Sequence, residues 1–128
     1  MIANDEELEV QLVRLGRRFE KVSEGTFLIA LGGAAPPAAL RLADPVLVVQ
    51  VEIGAAPAGD AAGAKLLRRL LELNASDLIH AAYGIQGDSI TLNAALELAS
   101  LDLNELEAVL ADVDLAIAEH VPALRALI

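Results

Sequence analysis

Apolar side chains recur along this chain with two different periods, and the changes of period mark its elements. Leu8, Leu12 and Leu15 fall at i, i+4 and i+7, which predicts a short amphipathic helix over Asn4 to Leu15. Asn4 suits its N-cap, Asp5, Glu6 and Glu7 suit the positive end of the helix dipole, and Gly16 marks its stop. Phe19 to Leu31 reads as a hairpin turned at Glu24-Gly25, with Thr26 to Leu31 as its stronger strand. Two glycines and the Pro36-Pro37 pair make Gly32 to Asp44 read as an irregular surface loop. Val46 to Ile53 is the most strand-like run, with five β-branched residues in eight. Gln50 and Glu52 wet one side of its far end, while Val46 to Val49 reads as buried on both faces.

After a second Ala/Pro/Gly loop, Asp60 can cap a helix over Ala61 to Leu73 that Asn74 ends. Its leucines at 66, 67, 70, 71 and 73 cover more circumference than one core-facing stripe requires, so the excess suits a second subunit. Another hairpin follows, His80 to Gln86, a Gly87-Asp88 turn, then Ser89 to Asn93, where Ile90 and Leu92 alternate with Thr91 and Asn93. Asp102 and Glu105 form a D-x-x-E capping box. The closing helix carries Leu103, Leu106, Leu110, Val113, Ile117 and Leu124, and Pro122 is expected to kink or restart it. The expected order is α-β-β-β-α-β-β-α in a single domain over residues 1–128. The class is α+β, with a mainly antiparallel sheet and helices packed on one side.

Composition narrows the function. Aromatic residues are 2% of the chain, so the core must be built from Leu, Val, Ile and Ala, and a large cofactor pocket is not expected. A net charge of −10 disfavours nucleic acid and anionic membranes and favours a basic partner. The chain has no cysteine, hence no disulfide or thiolate metal site. No 18-residue apolar run or signal peptide is evident, and a cytoplasmic bacterial-type protein is the simplest expectation.

The candidate chemistry is sparse. His80 and His120 lack any H-E-x-x-H or equivalent spacing, and a structural role is favoured for both. Asp112 and Asp114 sit among acids with no D-x-D-x-D-G loop, which reads as a solvated face. From Asp88 to Glu119 the chain holds eight acids, with Arg125 the one base beyond them, a surface able to steer a basic segment. Arg14, Arg17, Arg18 and Lys21 read chiefly as a solvated helix end.

LLRRLLELN at 66–74, AAYGIQGDSITLNAALEL at 81–98 and LDLNELEAVLADVDLAIAEHV at 101–121 resemble the central helix, second hairpin and closing helix of the type III secretion chaperone-like superfamily. Its CesT-type chaperones and its YbjN family are the two branches in view. The resemblance implies a homodimer, and no recognisable spacing along the chain marks catalytic residues, a metal site or a cofactor site. In the chaperone branch the dimer holds an extended peptide segment of a secreted effector by strand addition and apolar pockets. In the YbjN branch it is a regulatory protein whose partner is open, and an enzyme or small-ligand binder ranks last. Leu8, Leu12, Leu15, Phe27 and Ile29 are the candidate partner-binding residues, although core packing is the favoured reading of the leucine stripe. Leu67, Leu71 and Tyr83 are the candidate dimer interface, with an intramolecular sheet-to-helix contact an equal reading for Tyr83.

Overall fold

The structure is a computed structural model that describes residues 2–33 and 35–127. Its elements are α1 (Asp5–Leu15), β1 (Phe19–Ser23), β2 (Thr26–Ile29), β3 (Ala38–Ala43), β4 (Val46–Ala55), α2 (Ala61–Ser76), β5 (Ala82–Gln86), β6 (Ser89–Glu97) and, after a short 3-10 turn, α3 (Leu103–Arg125). The strands form one sheet in the order β1-β2-β3-β4-β6-β5, with every neighbouring pair antiparallel. This is the expected α+β architecture.

One strand was hidden from the sequence. Ala38–Ala43 lies inside the stretch expected to be loop, yet it pairs with both β2 and β4. Alanine is a weak strand former and Pro36-Pro37 dominates the local signal. Pairing on both sides overrides that weakness, and Ala38 and Leu40 turn into the core. The new strand settles the place of β4, whose partners are β3 and β6 at the centre of the sheet. There only Leu47, Val49, Val51 and Ile53 are buried, so Val46 and Val48 face a half-open surface rather than a second core.

The buried face is a single cluster. Phe27, Ile29, Leu40, Leu47, Val49, Ile90 and Leu92 from the sheet meet Leu8 and Leu12 of α1, Leu66, Leu70 and Leu73 of α2, and Leu106, Leu110 and Val113 of α3. The caps are those the sequence indicates. Asn4 accepts from the Glu7 N–H at 2.9 Å, Asp60 from Gly63 N–H at 2.7 Å and Asp102 from Glu105 N–H at 2.7 Å. Gly16 closes α1 at φ 76°. Gly63 is required for another reason: a Cβ there would overlap the Ala58 carbonyl oxygen, because the loop before α2 folds over its first turn. α3 runs unbroken through Pro122 to Arg125, so the helix does not restart there.

Candidate partner-binding edge and groove

The two edges of the sheet differ, and the difference originates in one side chain. α2 does not end at Asn74 as expected but continues to Ser76. Asn74 turns instead to β5: its Oδ1 accepts from the Tyr83 N–H at 2.7 Å, and its Nδ2 donates to the Tyr83 carbonyl at 3.1 Å. One amide thus imitates the next strand at Tyr83, one of the outward-facing positions of β5. Antiparallel partners alternate between pairs that exchange main-chain bonds and pairs that do not. On β1, Ala30 N–H donates to the Arg18 carbonyl at 2.8 Å, which makes Glu20 and Leu28 the next bonded pair in the register. Phe19 and Lys21 then direct both their N–H and their C=O groups away from the sheet. Glu20, Lys21, Val22 and Ser23 are all exposed.

Side chains hold this edge against α1. Asp5 accepts from the Gly25 N–H of the β1–β2 turn at 2.9 Å and pairs with Lys21 Nζ at 2.8 Å. Lys21, then the Gly25 N–H, hold the Asp5 carboxyl below its ordinary range, and Asp5 raises Lys21 in turn. Arg17 is also committed. It meets Asp114 of α3 at 2.6 Å and donates to the Ala30 carbonyl at 3.1 Å, while the other Asp114 oxygen accepts from Gly32 N–H at 2.9 Å. Asp112 accepts from the His80 N–H at 3.1 Å. These two aspartates are therefore fasteners for loops, not members of a purely solvated face.

Beside the Asp114 clasp a groove of about 700 Å³ opens between α3, the β2–β3 loop and the end of β4. A partly buried polar chain also links β5, α3 and the end of α2. The Tyr83 hydroxyl lies 2.9 Å from His120 Nδ1, and His120 Nε2 lies 3.2 Å from Asp77 Oδ2. Ser76 Oγ donates to the other Asp77 oxygen at 2.8 Å. Both nitrogens of His120 are thus engaged in tying β5 and the end of α2 to α3. Among the described residues no cluster of three or more His, Cys, Asp or Glu is arranged to hold a metal ion.

Most of the site residues expected from sequence lie elsewhere in function. Leu8, Leu12, Phe27 and Ile29 are 0% exposed, so they are core and have no surface for a partner. The stripe that suggested a groove is the stripe that closes α1 onto the sheet. Leu15 is half-buried against the same core. Tyr83 is also buried, which corrects its assignment to a dimer surface in favour of the sheet-to-helix contact. Leu67 and Leu71 are exposed at 40% and 67%, on the outer side of a helix whose Leu66, Leu70 and Leu73 face inward. The edge at Phe19 and Lys21 carried no side-chain signature, since main-chain groups form it.

The CesT_Tir_1 family model matches residues 2–128. The chain belongs to this family. Its membership agrees with the superfamily resemblance of 66–121 and extends it over the whole chain. No curated protein sequence matches. Among solved structures, a chain of the heterodimeric ExoU–SpcU complex of the Pseudomonas aeruginosa type III secretion system is similar, with a TM-score of 0.69 at 19% identity over 90% of this chain and 95% of that one. YbjN from E. coli is similar with a TM-score of 0.61 at 18% identity, covering 88% and 90%. The Yersinia pestis type III secretion chaperone SycH, solved with a stable fragment of YscM2, gives 0.57 at 19%, covering 87% and 94%. At these identities the CesT_Tir_1 chain shares a fold with each. Among its described residues, no helix is long and apolar enough to cross a membrane.

Proposed function

We propose that this chain is a non-enzymatic, dimeric chaperone that holds an extended segment of another protein as a strand added to β1. The unequal sheet edges carry this reading: β1 offers the outward N–H and C=O groups of Phe19 and Lys21, whereas on β5 Asn74 takes those of Tyr83 and leaves Ile85. An added strand draws affinity from those main-chain bonds and selectivity from alternate side chains. Membership of a chaperone family and likeness to a chaperone solved with a protein fragment support a protein partner.

Lys21→Pro tests the edge. Its N–H makes no bond to β2, and proline is tolerated on an edge strand where the N–H faces solvent. Peptides selected against the wild-type chain from a displayed library should bind the proline variant at least about tenfold more weakly, or about 1.4 kcal/mol. Lys21→Ala, which loses the charge but keeps the N–H, should bind nearly as the wild type does. Selected peptides that shift the NMR signals of β5 instead of β1 would remove the basis for this function.

The dimer is proposed on α2. Leu67 and Leu71 stand one turn apart, and Ile85 on the neighbouring edge strand is 48% exposed. Exposed leucines in one row on a helix favour a self-complementary surface, whose gain must exceed the cost of association. Leu71→Asp should move the sedimentation mass from dimer to monomer with the thermal midpoint of the monomer fold intact. An unchanged mass would place the interface elsewhere. The similarity to YbjN keeps a second reading, a regulatory binding protein with the same edge and another partner.

A further inference from the structure

We propose that the segment added to β1 runs antiparallel to it and carries a lysine or arginine followed, two residues later, by valine, isoleucine or leucine. The motif presupposes strand addition at β1 and states which side chains the added segment brings. α1 lies along that edge in the opposite sense to β1. Asp5, in the first turn of α1, bonds Lys21 and Gly25 at the far end of β1, and only Gly16, Arg17 and Arg18 separate Leu15 from Phe19. Asp5, Glu9 and Val13 follow one another at i, i+4 and i+8, a row on the β1 side of the helix. Glu9 is half-buried and Val13 is 68% exposed. Every neighbouring pair in this sheet is antiparallel, and that pairing is the more stable per residue.

The register assigns neighbours to each added side chain. Residues opposite Lys21 and Phe19 exchange main-chain bonds with β1 and turn their side chains to the helix face, which Phe27 and Ile29 share. Those two positions lie about 6.8 Å apart along a strand, and Glu9 and Val13 about 6 Å apart along α1. A segment antiparallel to β1 meets Glu9 first and Val13 second. Charge decides the first position. Asp5 neutralises Lys21 and holds its ammonium above the ordinary range, and Glu24 and Glu9 add to that effect through their charge alone. Neither Glu9 nor Glu24 has an ion pair among the described residues. No other base nearby offsets them. Arg17 is held by Asp114, and Arg14 lies about 140° round the helix from Glu9. Arg18, next to Phe19, turns to the opposite face of the sheet. Two carboxylates therefore await one added base. At the second position the neighbours are the partly buried Phe19 ring and exposed Val13, so an aliphatic side chain removes apolar surface from water.

Peptides selected from a displayed library on the wild-type chain, and kept only if Lys21→Pro weakens them, should carry this base-and-aliphatic pair. A fluorescein-labelled peptide of about nine residues containing Lys-Thr-Val is the direct probe. Fluorescence anisotropy should show it binding at least about fivefold more tightly than a twin with Glu for Lys, and than a second with Lys and Val exchanged. The preference for Lys over Glu should shrink from about 50 to about 300 mM salt. Glu9→Lys should abolish or reverse that preference, and Glu24→Lys, on an exposed turn outside α1, should reduce it. Val13→Asp should remove the preference for the aliphatic residue. Edge-dependent peptides without a base at the first position, or equal affinity for the probe and its exchanged twin, would overturn the motif and leave strand addition standing. A selection whose peptides all bind Lys21→Pro as well as the wild type would remove strand addition itself, and the motif with it.

Discussion

Phe27→Ala should destabilise the fold by about 3–5 kcal/mol, a large share of the total for a domain of this kind. Phe27 is the largest fully buried side chain, 0% exposed, on the strand between β1 and β3. Its ring lies 6.3 Å from that of Phe19 at an interplanar angle of 57°, and its register partners are Lys21 and Leu40. With two phenylalanines, one tyrosine and no tryptophan, the chain has few bulky rings to relax into the space. The cavity cost therefore adds to the lost transfer energy of the ring. Urea unfolding followed by circular dichroism should show the midpoint fall with little change in slope. A loss within about 0.5 kcal/mol, the range for surface substitutions, would return Phe27 to the role of a partner-facing residue.

Tyr83→Phe should cost about 1–3 kcal/mol at neutral pH, because it leaves buried His120 Nδ1 without a partner. Its pH dependence identifies the network. Burial pushes the Tyr83 hydroxyl up to about 12, with the negative charge of Asp77 acting in the same direction. The stability tied to this raised value is complete below the ordinary tyrosine value of 10 and is lost as pH climbs from there through about 12. The phenylalanine variant should begin less stable but lack this alkaline loss. Ser76, and then His120, hold the Asp77 carboxyl below its ordinary 3.8. Stability from that group is present above 3.8 and declines as pH falls through the lowered value, so Asp77→Asn should flatten the acid limb. Thermal melts of the three proteins from acid to alkaline pH measure both limbs. Identical alkaline limbs for wild type and Tyr83→Phe would contradict the buried-hydroxyl account.

Periodicity and caps were sufficient to place three helices, both hairpins and the strongest strand. Those signals are local: a 3-4 leucine row, an Asn or Asp before an acidic turn, a glycine at positive φ. They fail where a local preference meets a tertiary partner. Ala38–Ala43 is a strand because β2 and β4 flank it. Asn74 looks like a helix stop, yet its amide is used by Tyr83 nine residues on. Asp112 and Asp114 look solvated because their partners, His80, Arg17 and Gly32, are far away in sequence.

The candidate site followed the same division. Apolar period identified which leucines and phenylalanines turn inward on each element, but the same period describes a packed stripe and an open one. Only the packing of α1 and α3 on the sheet showed that Leu8, Leu12, Phe27 and Ile29 are covered while Leu67, Leu71 and Leu115 are not. The sequence by itself determined the acidity, the aliphatic core, the element types and the superfamily likeness, since these reside in composition and short spacing. The tertiary structure decided which sheet edge stays open and where the groove lies, because main-chain direction and distant ion pairs exist only once the strands are paired.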